Sequence, residues 1–213
     1  MSVKTIFITG ASSGFGMACA RAFASEGARL ILTARRLDKL EALRNELTAA
    51  AGVHVIQLDV RDRTAVDAAI ASLPADFCNI DVLVNNAGLA LGLEPSHQVA
   101  IEDWDVMVDT NIKGLMYCTR AILPGMVARN SGHIVNISST AASWPYPGGN
   151  VYGGTKAFVF SPGLFAKSVP LVSFAVACYL HGCLCLRVSM PPWDSQGKAQ
   201  TCSVFAPSMS RGT

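Results

Sequence analysis

The sequence predicts an α/β fold with a doubly wound parallel sheet, and three observations carry that expectation. Short apolar runs rich in Val, Ile and Leu recur through residues 1–159. Between them lie longer stretches whose apolar residues return at helical spacing, and a glycine-rich loop follows the first run directly. Strands of a parallel sheet are covered on both faces by crossover helices, so they read as nearly unbroken apolar segments rather than alternating ones.

In chain order the strands fall at residues 3–9, 28–34, 53–58, 80–85 and 133–138. Leu40, Leu43 and Leu47 mark one helix stripe, and Val66, Ala69, Ile70 and Leu73 mark another. Ile101, Trp104, Val108 and Ile112 open a longer helix reaching towards Arg129. Right-handed crossovers then place ligand sites at the carboxyl ends of the strands. At 213 residues, 51% hydrophobic and 15% charged, the chain fits one folded domain with a sizeable core. A net charge of +2 gives no electrostatic footprint for nucleic acid. The apolar start runs straight into the glycine loop without a cleavage site of small residues, so a cytoplasmic protein is expected.

The loop reads Thr9-Gly10-Ala11-Ser12-Ser13-Gly14-Phe15-Gly16, between a strand and a helix. Glycines at 10, 14 and 16 let the chain turn tightly and let its backbone approach a pyrophosphate. The helix N-terminus behind them offers unpaired N–H groups to the anion. These are the marks of a dinucleotide-binding, or Rossmann, sheet. NAD-binding versions place an acid at the end of the second strand, on the ribose 2′-hydroxyl. No acid occurs here between Glu26 and Asp38, and the strand ends in Arg35 and Arg36. Guanidinium groups hold a 2′-phosphate well, so NADP is the expected cofactor.

Tyr152 and Lys156 lie four residues apart and share one helix face. A phenol exchanges protons poorly at neutral pH, and a neighbouring ammonium makes its anion less costly. Ser139, at the end of the fifth strand, is placed to hydrogen-bond the substrate oxygen beside Tyr152. In this reading Tyr152 exchanges the proton, Ser139 orients the carbonyl or alcohol, and Lys156 supports Tyr152 and holds the nicotinamide ribose.

With these elements in order, residues 1–159 resemble the short-chain dehydrogenase/reductase family in its NADP-dependent branch. The matching pieces are the loop 9–16, Asp59-Val60, Asn85-Asn86-Ala87-Gly88, Asn111, Ser138-Ser139 and the Tyr152…Lys156 pair. The resemblance implies that Asp59 and Val60 line the adenine pocket and that Asn86 and Gly88 sit beside the adenosine ribose. It also implies that Asn111 completes a catalytic tetrad through a water that relays protons to Lys156. Residues 85–92 and 143–152 further resemble the NADP-dependent 3-hydroxy acid dehydrogenases, the group acting on serine, allo-threonine and malonic semialdehyde. That likeness implies a small 3-hydroxy or 3-oxo acid as substrate. Trp144 and Tyr146 are then candidates for the pocket wall, with core packing as the other reading of Trp144. The family also commonly forms homo-oligomers through the helix after Asn111 and the one bearing Tyr152.

The pattern breaks after Val159, which divides the chain into a dinucleotide-binding catalytic domain at 1–159 and an atypical tail at 160–213. Ser161-Pro162-Gly163 stops the Tyr152 helix early. The tail holds one acid, Asp194, and four of the seven cysteines, at 178, 183, 185 and 202. Cys183 and Cys185 lack the spacing of a metal or redox motif, so no metal is expected. A frameshift or misjoined coding segment fits this change of texture, with the last strands missing or replaced and an open sheet edge left behind. The alternative function is a catalytically inactive, truncated Rossmann domain that at most binds NADP or a partner. Residues 168–186 carry no charge, but Pro170, His181 and Gly182 argue against a membrane span there.

Overall fold

The computed structural model describes residues 3–47, 49–92, 94–144, 148 and 150–160, together with the backbone of two strands at 171–180 and 183–189. Five strands form the parallel body of the sheet: β1 (Thr5–Thr9), β2 (Arg29–Ala34), β3 (Gly52–Gln57), β4 (Val82–Asn85) and β5 (His133–Ser139). Each expected strand is present, with ends displaced by a few residues at most. Helices α1 (Gly14–Ser25), α2 (Leu37–Glu46) and α3 (Arg63–Ala71) precede β4, and α4 (Ile101–Val108) and α5 (Leu115–Ala128) precede β5. Helix α6 (Asn150–Phe160) carries Tyr152 and Lys156.

The strand order β3-β2-β1-β4-β5 reverses between β1 and β4, which opens a crevice where their carboxyl ends diverge. Alternation along each strand sends side chains to opposite faces. Ile6, Ile8, Leu30 and Leu32 pack under α1 and α2 with Ala20, Ala24, Leu40 and Leu43. Phe7, Ile31, Leu83 and Ile134 pack on the other face against Ile122 and Met126 of α5. Both layers are dry: Phe7, Ile8, Leu30, Ile31 and Leu32 are each 0% exposed. The Leu40, Leu43 and Leu47 stripe is buried as its spacing suggests. At the start of α3, Asp62 caps the helix by accepting from the Ala65 N–H at 3.0 Å.

The structure departs from the sequence reading in three places. The long helix expected from Ile101 is interrupted by a π-helical turn, Asp109–Gly114, which buries Thr110, Asn111 and Gly114. A wider turn of this kind admits one extra residue per turn and re-aims the side chains within it. Gly114 is needed there because a Cβ would meet Val60 Cγ2 at 2.6 Å. Secondly, β5 is not an open edge. A strand β6 (Leu171–Leu180) runs parallel along β5, from His133↔Leu171 to Ser139↔Ala177, and β7 (Cys183–Ser189) lies antiparallel on β6. The tail thus supplies replacement strands, and residues 171–180 and 183–186 of the uncharged run take part in the sheet. No helix among the described residues is long and apolar enough to cross a membrane. Thirdly, Trp144 is 74% exposed and so not part of the core, and it is not among the described residues that line the cleft at the carboxyl ends of the strands. Tyr146 lies outside the described residues.

Truncating Phe7 to Ala should remove the centre of the α5-side layer and lower unfolding free energy by ~3–5 kcal/mol. Cys78→Ser, on an exposed turn, should change it by less than about 0.5 kcal/mol. Urea unfolding with unchanged m-values checks both.

Candidate active site

The carboxyl ends of β1, β2, β4 and β5 wall a cleft of ≈ 840 Å³. Its floor at one end is the glycine loop. Gly10 has φ +65°, and a Cβ there would stand 2.9 Å from Ala87 Cα, so the loop touches the segment after β4 backbone to backbone. Gly16 is closed to any side chain, with Gly10 O only 2.5 Å from where its Cβ would be. Gly14 meets nothing within 4 Å but sits at φ +55°, which favours glycine for conformation alone. Ser13 provides no side-chain cap to α1, and the first turn of that helix contains no acid. Its N–H groups and positive dipole end therefore face the cleft uncancelled.

Thr9 and Asn86 clamp this floor to β4. Thr9 Oγ1 accepts from the N–H groups of Asn86 and Ala87, both at 2.9 Å. Asn86 Nδ2 donates back to the Thr9 and Gly10 carbonyls at 2.9 and 3.1 Å. Asn86 lines the cleft, but its amide nitrogen faces the glycine loop. At the loop mouth, Arg36 Nη2 donates to Ser12 Oγ and Ser13 Oγ, each at 3.1 Å. This holds a guanidinium and two hydroxyls in one cluster beside Arg35. Further round, Arg61 forks onto Asp59, with Nη2 to Oδ2 at 2.6 Å. These hydrogen bonds hold the Asp59 carboxyl below its usual range, and the positive charge of Arg35 adds to the effect.

At the opposite end stand Tyr152, Lys156 and Ser139. Lys156 is 6% exposed, its Nζ donates to the Ile137 carbonyl at 3.0 Å, and it lies 5.8 Å from the Tyr152 ring centroid. Loss of hydration pushes its pKa down from 10.5 to about 8. Ser138 Oγ donates to the Lys156 carbonyl at 2.9 Å, tying α6 to the end of β5. Ser139 Oγ accepts from the Ala141 N–H at 3.2 Å, which occupies an acceptor site of the hydroxyl and not its proton. Behind them Asn111, 2% exposed, makes three hydrogen bonds through its amide. Its Oδ1 accepts from the Leu89 N–H, and its Nδ2 donates to the Leu89 carbonyl, both at 2.9 Å. Nδ2 also donates to Thr155 Oγ1 at 3.0 Å.

Every site residue expected from the sequence lines the cleft except Gly16 and Asn111, which lie buried behind it. Phe15, Val60 and Gly88 are among those that do. Arg61 and Thr155 are site neighbours that the sequence reading does not name: Arg61 acts through a local fork two residues from Asp59, and Thr155 through Asn111, 44 residues away. Among the described residues no group of three or more His, Cys, Asp or Glu side chains is placed to hold a metal ion.

Fold and cleft together define a dinucleotide-binding α/β domain with a tyrosine and a lysine at the end of the cleft opposite the glycine loop. The chain belongs to the short-chain dehydrogenase family, whose sequence profile matches residues 4–164. The NADP-dependent 3-hydroxy acid dehydrogenase YdfG of Escherichia coli O157:H7 is 59% identical over 154 residues, covering 72% of this chain and 61% of that protein. The serine 3-dehydrogenase of Agrobacterium fabrum is 56% identical over 162 residues, 75% of this chain and 64% of its own. The closed form of serine dehydrogenase complexed with NADP+ superposes with a TM-score of 0.75 at 52% identity, covering 82% of this chain and 71% of that one. The chain thus spans less than two thirds of the length of these curated relatives.

The buried ammonium has a consequence for stability. Lys156 binds its proton less readily folded than unfolded, so between about pH 8 and 10.5 the unfolded chain carries the extra proton. Stability should therefore rise with pH across that window, by at most ~1.4 kcal/mol per pH unit. Lys156→Met should lack this gain. Urea unfolding of both proteins between about pH 7.5 and 9.5 gives the difference directly.

Proposed function

We propose that this chain carries an NADP-dependent oxidoreductase site that interconverts a small 3-hydroxy acid and its 3-oxo form. The observation that carries the reading is the placement of Tyr152, Lys156 and Ser139 along the same cleft as the glycine loop and Arg36. Residues 1–159 would be the catalytic unit, and 160–213 an added segment whose residues 171–180 and 183–189 extend the sheet.

The residues present fit the cofactor at three points. The uncapped start of α1 and the close-packed Gly10 suit a pyrophosphate. The Arg36, Ser12 and Ser13 cluster suits a 2′-phosphate, with Arg35 beside it. Asp59 and Val60 would border the adenine, and Gly88 gives the ribose room near Lys156 Nζ, which lies 3.2 Å from where a Gly88 Cβ would be. When bound, NADPH supplies the hydride that reduces the substrate carbonyl.

The chain's own groups would do the rest. Tyr152 donates its phenolic proton to the substrate oxygen in reduction and takes it back in oxidation. Ser139 donates its hydroxyl proton to the same oxygen and fixes the carbonyl plane. Lys156, anchored on the Ile137 carbonyl, sets a positive charge beside the Tyr152 ring and makes the phenolate less costly. Proton transfer by a positioned side chain of this sort contributes about 10²–10⁴-fold. The 3-hydroxy acid class is supported by the names and identities of the relatives.

NADPH oxidation with a small 3-oxo acid should be measurable in the purified chain and should fall by about 10²-fold or more in Tyr152→Phe, with NADPH binding retained. NADPH binding without Tyr152-dependent turnover would instead favour a binding-only domain. Arg36→Ala should weaken NADPH by about tenfold or more while changing NADH little, since one charge-assisted contact to phosphate is lost. Fluorescence titration with both nucleotides reads the ratio.

A further inference from the structure

Thr155 occupies the position before Lys156 on α6, is 1% exposed and does not line the cleft. Its hydroxyl is nevertheless committed in both directions. Thr155 Oγ1 donates to the Tyr152 carbonyl at 2.7 Å and accepts from Asn111 Nδ2 at 3.0 Å. The first bond alone is an ordinary habit of threonine in helices, where the hydroxyl folds back on the preceding turn. The second is not local, since it comes from a buried amide 44 residues away in sequence. Asn111 in turn holds the N–H and carbonyl of Leu89, a residue of the cleft wall, at 2.9 Å each. One unbroken chain of donors thus runs from the loop after β4, through the π turn, to the backbone of the residue that faces the substrate. Each polar atom of Asn111 has a partner, and the Thr155 hydroxyl donates once and accepts once.

From this geometry we infer that Thr155 is a positioning residue. It fixes the rotation and height of the first turn of α6 against the π turn, so that Tyr152 meets the cleft at the level set by Leu89. The inference rests on the oxidoreductase reading for its kinetic consequence and on the hydrogen bonds alone for its structural one. The other side of α6 is fixed separately. Ser138 Oγ binds the Lys156 carbonyl and Lys156 Nζ binds the Ile137 carbonyl. Loss of the Thr155 hydroxyl therefore leaves Lys156 anchored and frees the Tyr152 turn on one side only. Removing that hydroxyl also leaves one hydrogen of the Asn111 amide without its acceptor, in a site closed to water.

The test compares Thr155→Val, which keeps the branched shape and loses the hydroxyl, with Thr155→Ser, which keeps the hydroxyl. If the native chain oxidises NADPH with a 3-oxo acid, Thr155→Val should lose about 10- to 100-fold in kcat, as expected for a small misplacement of a reacting group. The KM for the acid and the affinity for NADPH should stay within about twofold, and Thr155→Ser should recover most of the rate. Native kcat in Thr155→Val, or a loss confined to NADPH affinity, would overturn the inference. If the native chain shows no turnover, the oxidoreductase reading fails by itself and hydrogen exchange decides this one. The amides of Tyr152 to Lys156 should then exchange at least about tenfold faster in Thr155→Val than in the native chain or Thr155→Ser, with β1 and β4 unchanged. Equal exchange in all three, or acceleration throughout the molecule, would refute it.

Discussion

Lys156 has to keep a charged nitrogen in a place from which water is almost excluded, and the functional half of the molecule is arranged around that demand. An ammonium 6% exposed needs acceptors with fixed positions, and the Ile137 carbonyl at the end of β5 provides one. Ile137 lies one residue beyond the last β4–β5 pair, Asn85↔Asn136, and lines the crevice created by the reversal of strand order. Tyr152, one turn earlier on α6, is carried to the same crevice. Desolvation brings the lysine to about 8, near the pH at which a group that exchanges protons is most useful. The same burial makes the site a cost to folding below that pH. This arrangement has the form of stability given up locally for function.

A second constraint governs the opposite end of the cleft. The glycine loop, β4 and the segment after it approach so closely that Gly10 and Gly16 leave no room for a Cβ. The Thr9 and Asn86 hydrogen bonds fasten that approach. Because the loop is fastened from below, its N–H groups keep their aim at the cleft without a ligand to order them. Both ends of the site thus depend on contacts between the ends of adjacent parallel strands. The doubly wound order brings those strands together.

The sequence made the strands and the helix stripes legible because burial on both faces leaves a plain signature: apolar runs for strands and three-to-four spacing for helices. The Tyr152 and Lys156 pair was legible for a similar reason, since four residues on a helix is a fixed geometry. Asn111 was named from resemblance, yet its actual partners, Leu89 and Thr155, lie 22 and 44 residues away and leave no local mark. The turning of the Asn86 amide towards Gly10, 76 residues away, was invisible likewise; the Arg61 fork on Asp59 joins residues two apart, in a turn whose shape their spacing alone does not give. The π turn was hidden because its residues keep a helical pattern; the contact of Gly114 with Val60 reveals it only in three dimensions. In the tail, β6 was missed because an uncharged run without periodicity fits a buried strand as well as it fits an unfolded or membrane segment. Of the two readings of Trp144, pocket wall and core, its surface position excludes the core; adjacency in sequence constrains a loop residue too little to choose between them beforehand.

The proposed chemistry requires Lys156 to lie where a bound nucleotide would cover it. Trace acetylation of the native chain by acetic anhydride, quantified lysine by lysine by mass spectrometry with and without NADPH, tests this without requiring turnover. Bound NADPH should slow labelling of Lys156 severalfold while leaving exposed Lys4 and Lys39 unchanged. Labelling of Lys156 at the same rate with saturating nucleotide, or protection spread evenly over all three, would contradict it.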